Sequence, residues 1–88
     1  MVPKPKEYEL EAVLCALYAK CNGSTHCHVP LEAIKVKLRK ELWPILRRAL
    51  RELVVEGLVY EKRHGKGRGS YGLTKEGVRR AREICFIV

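Results

Sequence analysis

The chain has no aspartate and no glutamine, and its one asparagine is Asn22. All ten acidic residues are glutamates. With no Asp, no serine beside a histidine-bearing motif, no Walker-type loop and no paired carboxylates, the sequence assembles no set of reacting groups. It reads as a non-enzyme. No apolar run approaches the roughly 18 residues that a membrane span requires. The first ten residues, MVPKPKEYEL, lack the apolar core and small-residue cleavage site of a secretory leader. The expected setting is the cytoplasm, or a host's cytoplasm for a viral chain, with no membrane partner.

What is present fits a small soluble domain. Eighty-eight residues, 47% hydrophobic and 32% charged, make one domain with an economical core that a second subunit would help to bury. The abundance of Lys, Arg and Glu with few amides is similar to the composition of hyperthermophile proteins, whose cytosols tolerate disulfides. The chain has four cysteines.

Charge is unevenly placed. Residues 35–70 hold eleven Lys or Arg against four Glu, a net of +7, which leaves +1 for the rest of the +8 chain. Concentrated positive charge on part of a small domain suits a polyanion, since each neutralised phosphate releases condensed counterions. A membrane surface suits it less, because the apolar sides of these segments are needed for a core.

Residues 1–6 are expected to form a mobile basic arm. A first helix is expected over 7–21, with Leu10, Val13, Leu14, Leu17, Tyr18 and Cys21 on a core-facing stripe. Its other side, Tyr8, Ala12, Cys15, Ala16 and Ala19, has little charge, which predicts burial against a twin subunit. Asn22–Gly23 opens a loop, Val29 is a candidate short strand, and a second helix is expected over 30–38 with Pro30 at its first position. Lys35, Lys37, Arg39 and Lys40 crowd its end.

Residues 43–56 read as a helix with two different sides. Leu42, Leu46, Ala49, Leu50 and Leu53 fall on one, and Lys40, Pro44, Arg47, Arg48 and Arg51 on the other. Pro44 lacks an N–H and belongs in a first turn, which places the start near Trp43. Gly57 ends this helix, and a hairpin follows over 58–73, with Leu58–His64 outgoing, a glycine-rich tip carrying Lys66 and Arg68, and Tyr71–Leu73 returning. A strand follows these glycines where a dinucleotide loop would need a helix, so a nucleotide site is rejected. Thr74 is placed to cap a last helix over 75–85, and the chain ends in the apolar run ICFIV.

This order, with LRELVVEGLVYEKRHGKGRGSYGLTKEG over 50–77 and its Tyr-x-Leu-Thr-x-x-Gly exit, resembles winged helix-turn-helix regulators of the MarR, PadR and ArsR type. Its size and cysteines are similar to those of small winged-helix proteins of archaea and their viruses. The resemblance implies an α+β, mostly α fold: a three-helix core, a β-hairpin wing and a C-terminal helix. It implies a transcription regulator in which the helix from Trp43 enters the major groove of double-stranded DNA and the wing follows the backbone or minor groove. Arg47, Arg48 and Arg51 are then candidates for guanine edges, and Lys35, Lys37, Arg39, Lys40, Lys62, Arg63, Lys66 and Arg68 for phosphates. Trp43 has two readings, a contact to a thymine methyl or sugar and a packing staple. Alternatives to sequence-specific regulation are a protein-interaction module, a non-specific DNA coat, and a redox- or metal-responsive regulator.

Cys21, His26, Cys27 and His28 form the constellation on which the responsive reading depends. Three consecutive ligands strain a tetrahedral zinc site, so no metal is expected. Reduced thiols and a Cys21–Cys27 disulfide remain the alternatives. Cys15 and Cys85 are candidates for a bridge between subunits, and Cys85 and Phe86 join the expected dimer face. ArsR-type sensors carry cysteines on the recognition helix and this helix has none, so that metal site is not carried over. No cofactor and no small-molecule ligand are expected.

Overall fold

The computed structural model describes residues 4–64 and 68–85, the side chains of 64 and 68 excepted. Phe86, Lys66 and the first three residues of the basic arm lie outside the described residues, as does the side chain of Arg68.

Helix α1, Glu7–Cys21, starts where the Glu9 carboxylate accepts from the Lys6 backbone N–H at 2.7 Å. It stops because Asn22 and Gly23 both take positive φ, 51° and 75°. The Asn22 and Gly23 N–H groups both turn back to the Tyr18 carbonyl. That is a left-handed helix end, which Asn and Gly adopt most readily. Strand β1, Val29–Pro30, leads directly into α2, Leu31–Val36. Pro30 is therefore a strand and N-cap residue rather than the first residue of the helix, and α2 is shorter than the 30–38 segment that its composition suggests.

The basic helix begins later than residue 43. Lys40–Ile45 form a 3₁₀ helix containing Pro44, and the α-helix, α3, runs Leu46–Val55. An α-turn would press the Pro44 ring against the carbonyl four residues earlier, whereas the tighter i to i+3 pattern accommodates it. Trp43 and Pro44 thus precede α3.

Strands β2, Val59–His64, and β3, Arg68–Leu73, pair antiparallel, and β1 joins the far edge of β3 to give the order β1-β3-β2. The returning strand is longer than Tyr71–Leu73. Helix α4 occupies Lys75–Cys85. Among the described residues, no helix is long and apolar enough to cross a membrane.

The core lies between α1, α3 and the sheet, where Val13, Leu14, Leu17, Ile34, Leu46, Leu50, Leu53, Val59 and Leu73 are buried. One joint locks three elements together. Gly57, at φ 79°, ends α3, and its carbonyl accepts from the Thr74 hydroxyl at 2.6 Å. The same hydroxyl oxygen caps α4 by accepting from the Gly77 N–H at 2.9 Å. A Cβ on Gly77 would collide with the Leu58 carbonyl, so α4 sits against the turn only because residue 77 has no side chain. On the outside of α4, Arg79 pairs with Glu76 and Glu83, and Arg80 with Glu83 and Glu7. Arg82 donates to the Tyr18 hydroxyl at 3.3 Å.

Two disulfides tie the chain. Cys21–Cys27 closes the loop after α1, and Cys15–Cys85 joins α1 to the end of α4. The second bond corrects the expectation for Cys15 and Cys85. They face one another within one chain, with Cα atoms 5.7 Å apart, and no sulfur is left to bridge subunits. Their pairing follows from α4 packing along α1, a tertiary contact that spacing in the sequence does not reveal.

Candidate nucleic-acid interface

Helix α3 divides sharply. Leu46, Ala49, Leu50 and Leu53 are buried, while Arg47, Arg48 and Arg51 are exposed. The apolar repeat turns one side to the core, and the arginines project from the other for that reason alone. Among the described residues, no carboxylate lies within 4.0 Å of any of the three guanidinium groups. Three planar donor forks on one short helix can each grip a phosphate or a guanine edge in two places.

Trp43 is held from the other direction. Its indole N–H donates to the carbonyls of Lys35 at 3.1 Å and Leu38 at 3.3 Å. These acceptors lie at the end of α2 and in the turn after it, and the Lys35 carbonyl also accepts from the Leu38 N–H at 3.0 Å. The ammonium of Lys35 lies 5.2 Å from the Trp43 ring centroid, a cation–π distance. Trp43 therefore fastens α2 to the 3₁₀ segment that leads into α3. At 37% exposure it still meets solvent.

The structure distributes the other expected contacts over several surfaces. Lys40 stands exposed at the start of the 3₁₀ segment. Lys37 and Arg39 instead line a groove of about 670 Å³ together with Leu38, Glu41 and Leu42 on one wall and Tyr8, Ala12, Cys15, Ala16 and Ala19 of α1 on the other. Five residues expected at a dimer face thus share one groove. Ala16 is already buried by its own chain, while Tyr8 is 61% exposed.

On the wing, Val59 pairs with Leu73 and both are buried, which identifies the side facing the helices. Side chains alternate along a strand, so Glu61 and Arg63 share that side and Lys62 lies on the opposite one with Tyr60. Arg63 and Lys62 therefore leave the wing on opposite sides. Tyr60 donates to the Thr25 carbonyl at 2.8 Å and meets His28 edge-on at 5.6 Å, pinning the loop after α1 to the back of the sheet.

Sequence reasoning passed over Glu61 and Tyr71. They are register partners on the helix-facing side, and the Tyr71 hydroxyl donates to Glu61 Oε2 at 3.5 Å. Burial holds the Tyr71 phenol above its ordinary value of 10.0 and the Glu61 carboxylate adds to the rise, while Arg47 and Arg51 oppose it. The wing carboxylate and two arginines of α3 thus act on the same phenol in opposite directions. Counting by twos from Val59 and Leu73 would have found the pair.

The disulfide at Cys21 and Cys27 decides the chemistry of the neighbouring loop: neither sulfur is free to ligate a metal. Among the described residues, no three His, Cys or Glu side chains converge as ligands.

Three helices, an antiparallel hairpin whose sheet is completed by a short strand before the second helix, and a capped final helix define the winged helix-turn-helix fold. The chain is similar to a candidate DNA-binding protein from Ralstonia eutropha JMP134, with a TM-score of 0.70 and 26% identity over 94% of this chain and 100% of that one. It is also similar in fold to a single-substitution variant of MepR, a MarR-family regulator, from a multidrug-resistant S. aureus clinical isolate. There the TM-score is 0.65 and the identity 23%, over 92% of this chain and 56% of the MepR chain. Neither a protein-family profile nor a curated protein matches the sequence.

Proposed function

We propose that the protein is a double-stranded DNA-binding transcription regulator that reads sequence through α3. The observation that carries this reading is the row of Arg47, Arg48 and Arg51, exposed and without an ionic partner among the described residues, on a helix whose other side is buried. In the major groove, these forks match the O6 and N7 acceptors of guanine. Lys40 and the wing cations Lys62 and Arg63 contact phosphates, with Lys66 and Arg68 of the tip completing the set. The 26% identical neighbour described as a candidate DNA-binding protein supports the same reading.

The proposed working form is a homodimer joined through the outer side of α1. Tyr8, Ala12, Cys15 and Ala19 offer it an apolar groove, and twofold symmetry would then present two α3 helices to a palindromic target.

The test is selection of bound duplexes from a random pool at several salt concentrations, comparing the wild type with Arg47→Ala/Arg51→Ala. The reading requires an enriched palindromic motif that the double variant no longer selects. Salt-sensitive binding without a motif would indicate a DNA coat instead, and absence of binding at low salt would refute a nucleic-acid partner.

A further inference from the structure

The wing presents a carboxylate where a surface built for a polyanion would be expected to carry only cations. Glu61 stands on the helix-facing side of β2, opposite Tyr71 and one alternation outward from the buried Val59–Leu73 pair. Its position is set by one contact and by the room that a glycine leaves. The Tyr71 hydroxyl donates to Oε2, and a Cβ on Gly69 would lie 3.1 Å from that same oxygen. The side chain therefore lies across β3 over a position left bare for it. Helix α3 packs against β2, and Arg47 and Arg51 exert their field on the Tyr71 ring that Glu61 touches. Among the described residues, neither these arginines nor any other cation is within ion-pair distance of the carboxylate.

A carboxylate accepts hydrogen bonds and donates none, so it has nothing to offer a phosphate and is repelled by it. It can accept from an exocyclic amino group, which guanine presents through N2 in the minor groove, the groove that the wing follows in this reading. We infer that Glu61 is a specificity-determining residue, which repels the phosphates of a duplex bound out of register and accepts a base amino group when α3 is seated on its target. Discrimination of this kind adds a repulsive element against wrong partners to the attraction for the right one. The inference rests on the duplex-reading function proposed above.

The experiment uses the full-length, disulfide-bonded chain. A duplex selected by the wild type and a scrambled duplex of equal length are titrated with the wild type, Glu61→Gln and Glu61→Ala at one salt concentration, and thermal melting confirms that the variants fold. Both variants should bind the scrambled duplex about threefold to tenfold more tightly without gaining on the selected one, so that the affinity ratio falls by about the same threefold to tenfold. A ratio within twofold of the wild type, including equal gains or equal losses on both duplexes, overturns the inference. Where the wild type selects a motif and the ratio does not move, only this inference falls. Where the wild type selects nothing, the duplex-reading proposal falls and takes the inference with it.

Discussion

Helices α3 and α4 each carry three arginines on their outer side, yet the two sets are in opposite states. Those of α4 are engaged: Arg79 and Arg80 reach glutamates, and Arg82 reaches the Tyr18 hydroxyl. Those of α3 have no carboxylate within reach among the described residues. Composition alone does not separate the two. Glutamates spaced three or four residues from the arginines neutralise α4 from within, as helical geometry allows. Helix α3 contains Glu52, but no ion pair joins it to the arginines. An exposed charged face is a solvated face by default, and α4 fits that description. An anion supplied from outside is the natural complement of α3.

The contrast can be broken or sharpened in several ways, beginning with the largest effect. Replacing Cys15 and Cys85 by serine removes a crosslink between residues 70 apart, and loop-closure entropy sets the loss at about 4 kcal/mol. Urea melts should show a drop of that size, with DNA affinity per site unchanged. The corresponding change at Cys21 and Cys27, 6 apart, should cost about 2 kcal/mol. Arg47→Ala/Arg51→Ala should lower affinity for a selected duplex about a hundredfold or more by fluorescence anisotropy, at little cost in melting temperature. Arg79→Ala/Arg80→Ala should change that affinity less than about threefold, since paired surface charges contribute little. A comparable loss in both double variants would erase the distinction between the helices.

Ala12→Glu/Ala19→Glu places charge in the α1 groove and should convert the proposed dimer to a monomer in analytical ultracentrifugation while leaving the fold intact. Trp43→Phe removes the indole N–H from the carbonyls of Lys35 and Leu38 and should cost about 1 kcal/mol. The smallest effect is expected from pH. Tyr71 titrates higher in the folded chain than its ordinary 10.0, so its contribution to stability is complete below that pH. It is lost as pH rises through the folded value. The difference in urea midpoint between the wild type and Tyr71→Phe should therefore shift against the wild type above pH 10.0.

Much of the architecture was legible because local rules and global packing agree. The winged helix-turn-helix class followed from the order of elements and from the resemblance of residues 50–77 to the helix-to-wing junction of such regulators. The start of α3 was not legible, because a proline in a first helical turn and a proline in a preceding 3₁₀ turn have the same local sequence. Disulfide pairing was illegible for a different reason: Cys15 and Cys85 meet only once α4 lies along α1, and four cysteines permit several pairings. At the candidate interface, the gathering of cations over 35–70 was evident from the residues. The strand register that sets Tyr71 against Glu61 was not, because it is fixed by the hairpin and not by either strand alone. Single charges were counted there, whereas the structure supplies neighbours.

The bond between Cys15 and Cys85 makes the chain from α1 to α4 a closed ring with two short ends. A protease cut at any one point within that ring, the wing included, leaves a single molecule of unchanged mass apart from one added water. A nicked protein would run as one band until reductant separates it into two. The ring thus allows the wing to be opened while both ends of the domain stay joined.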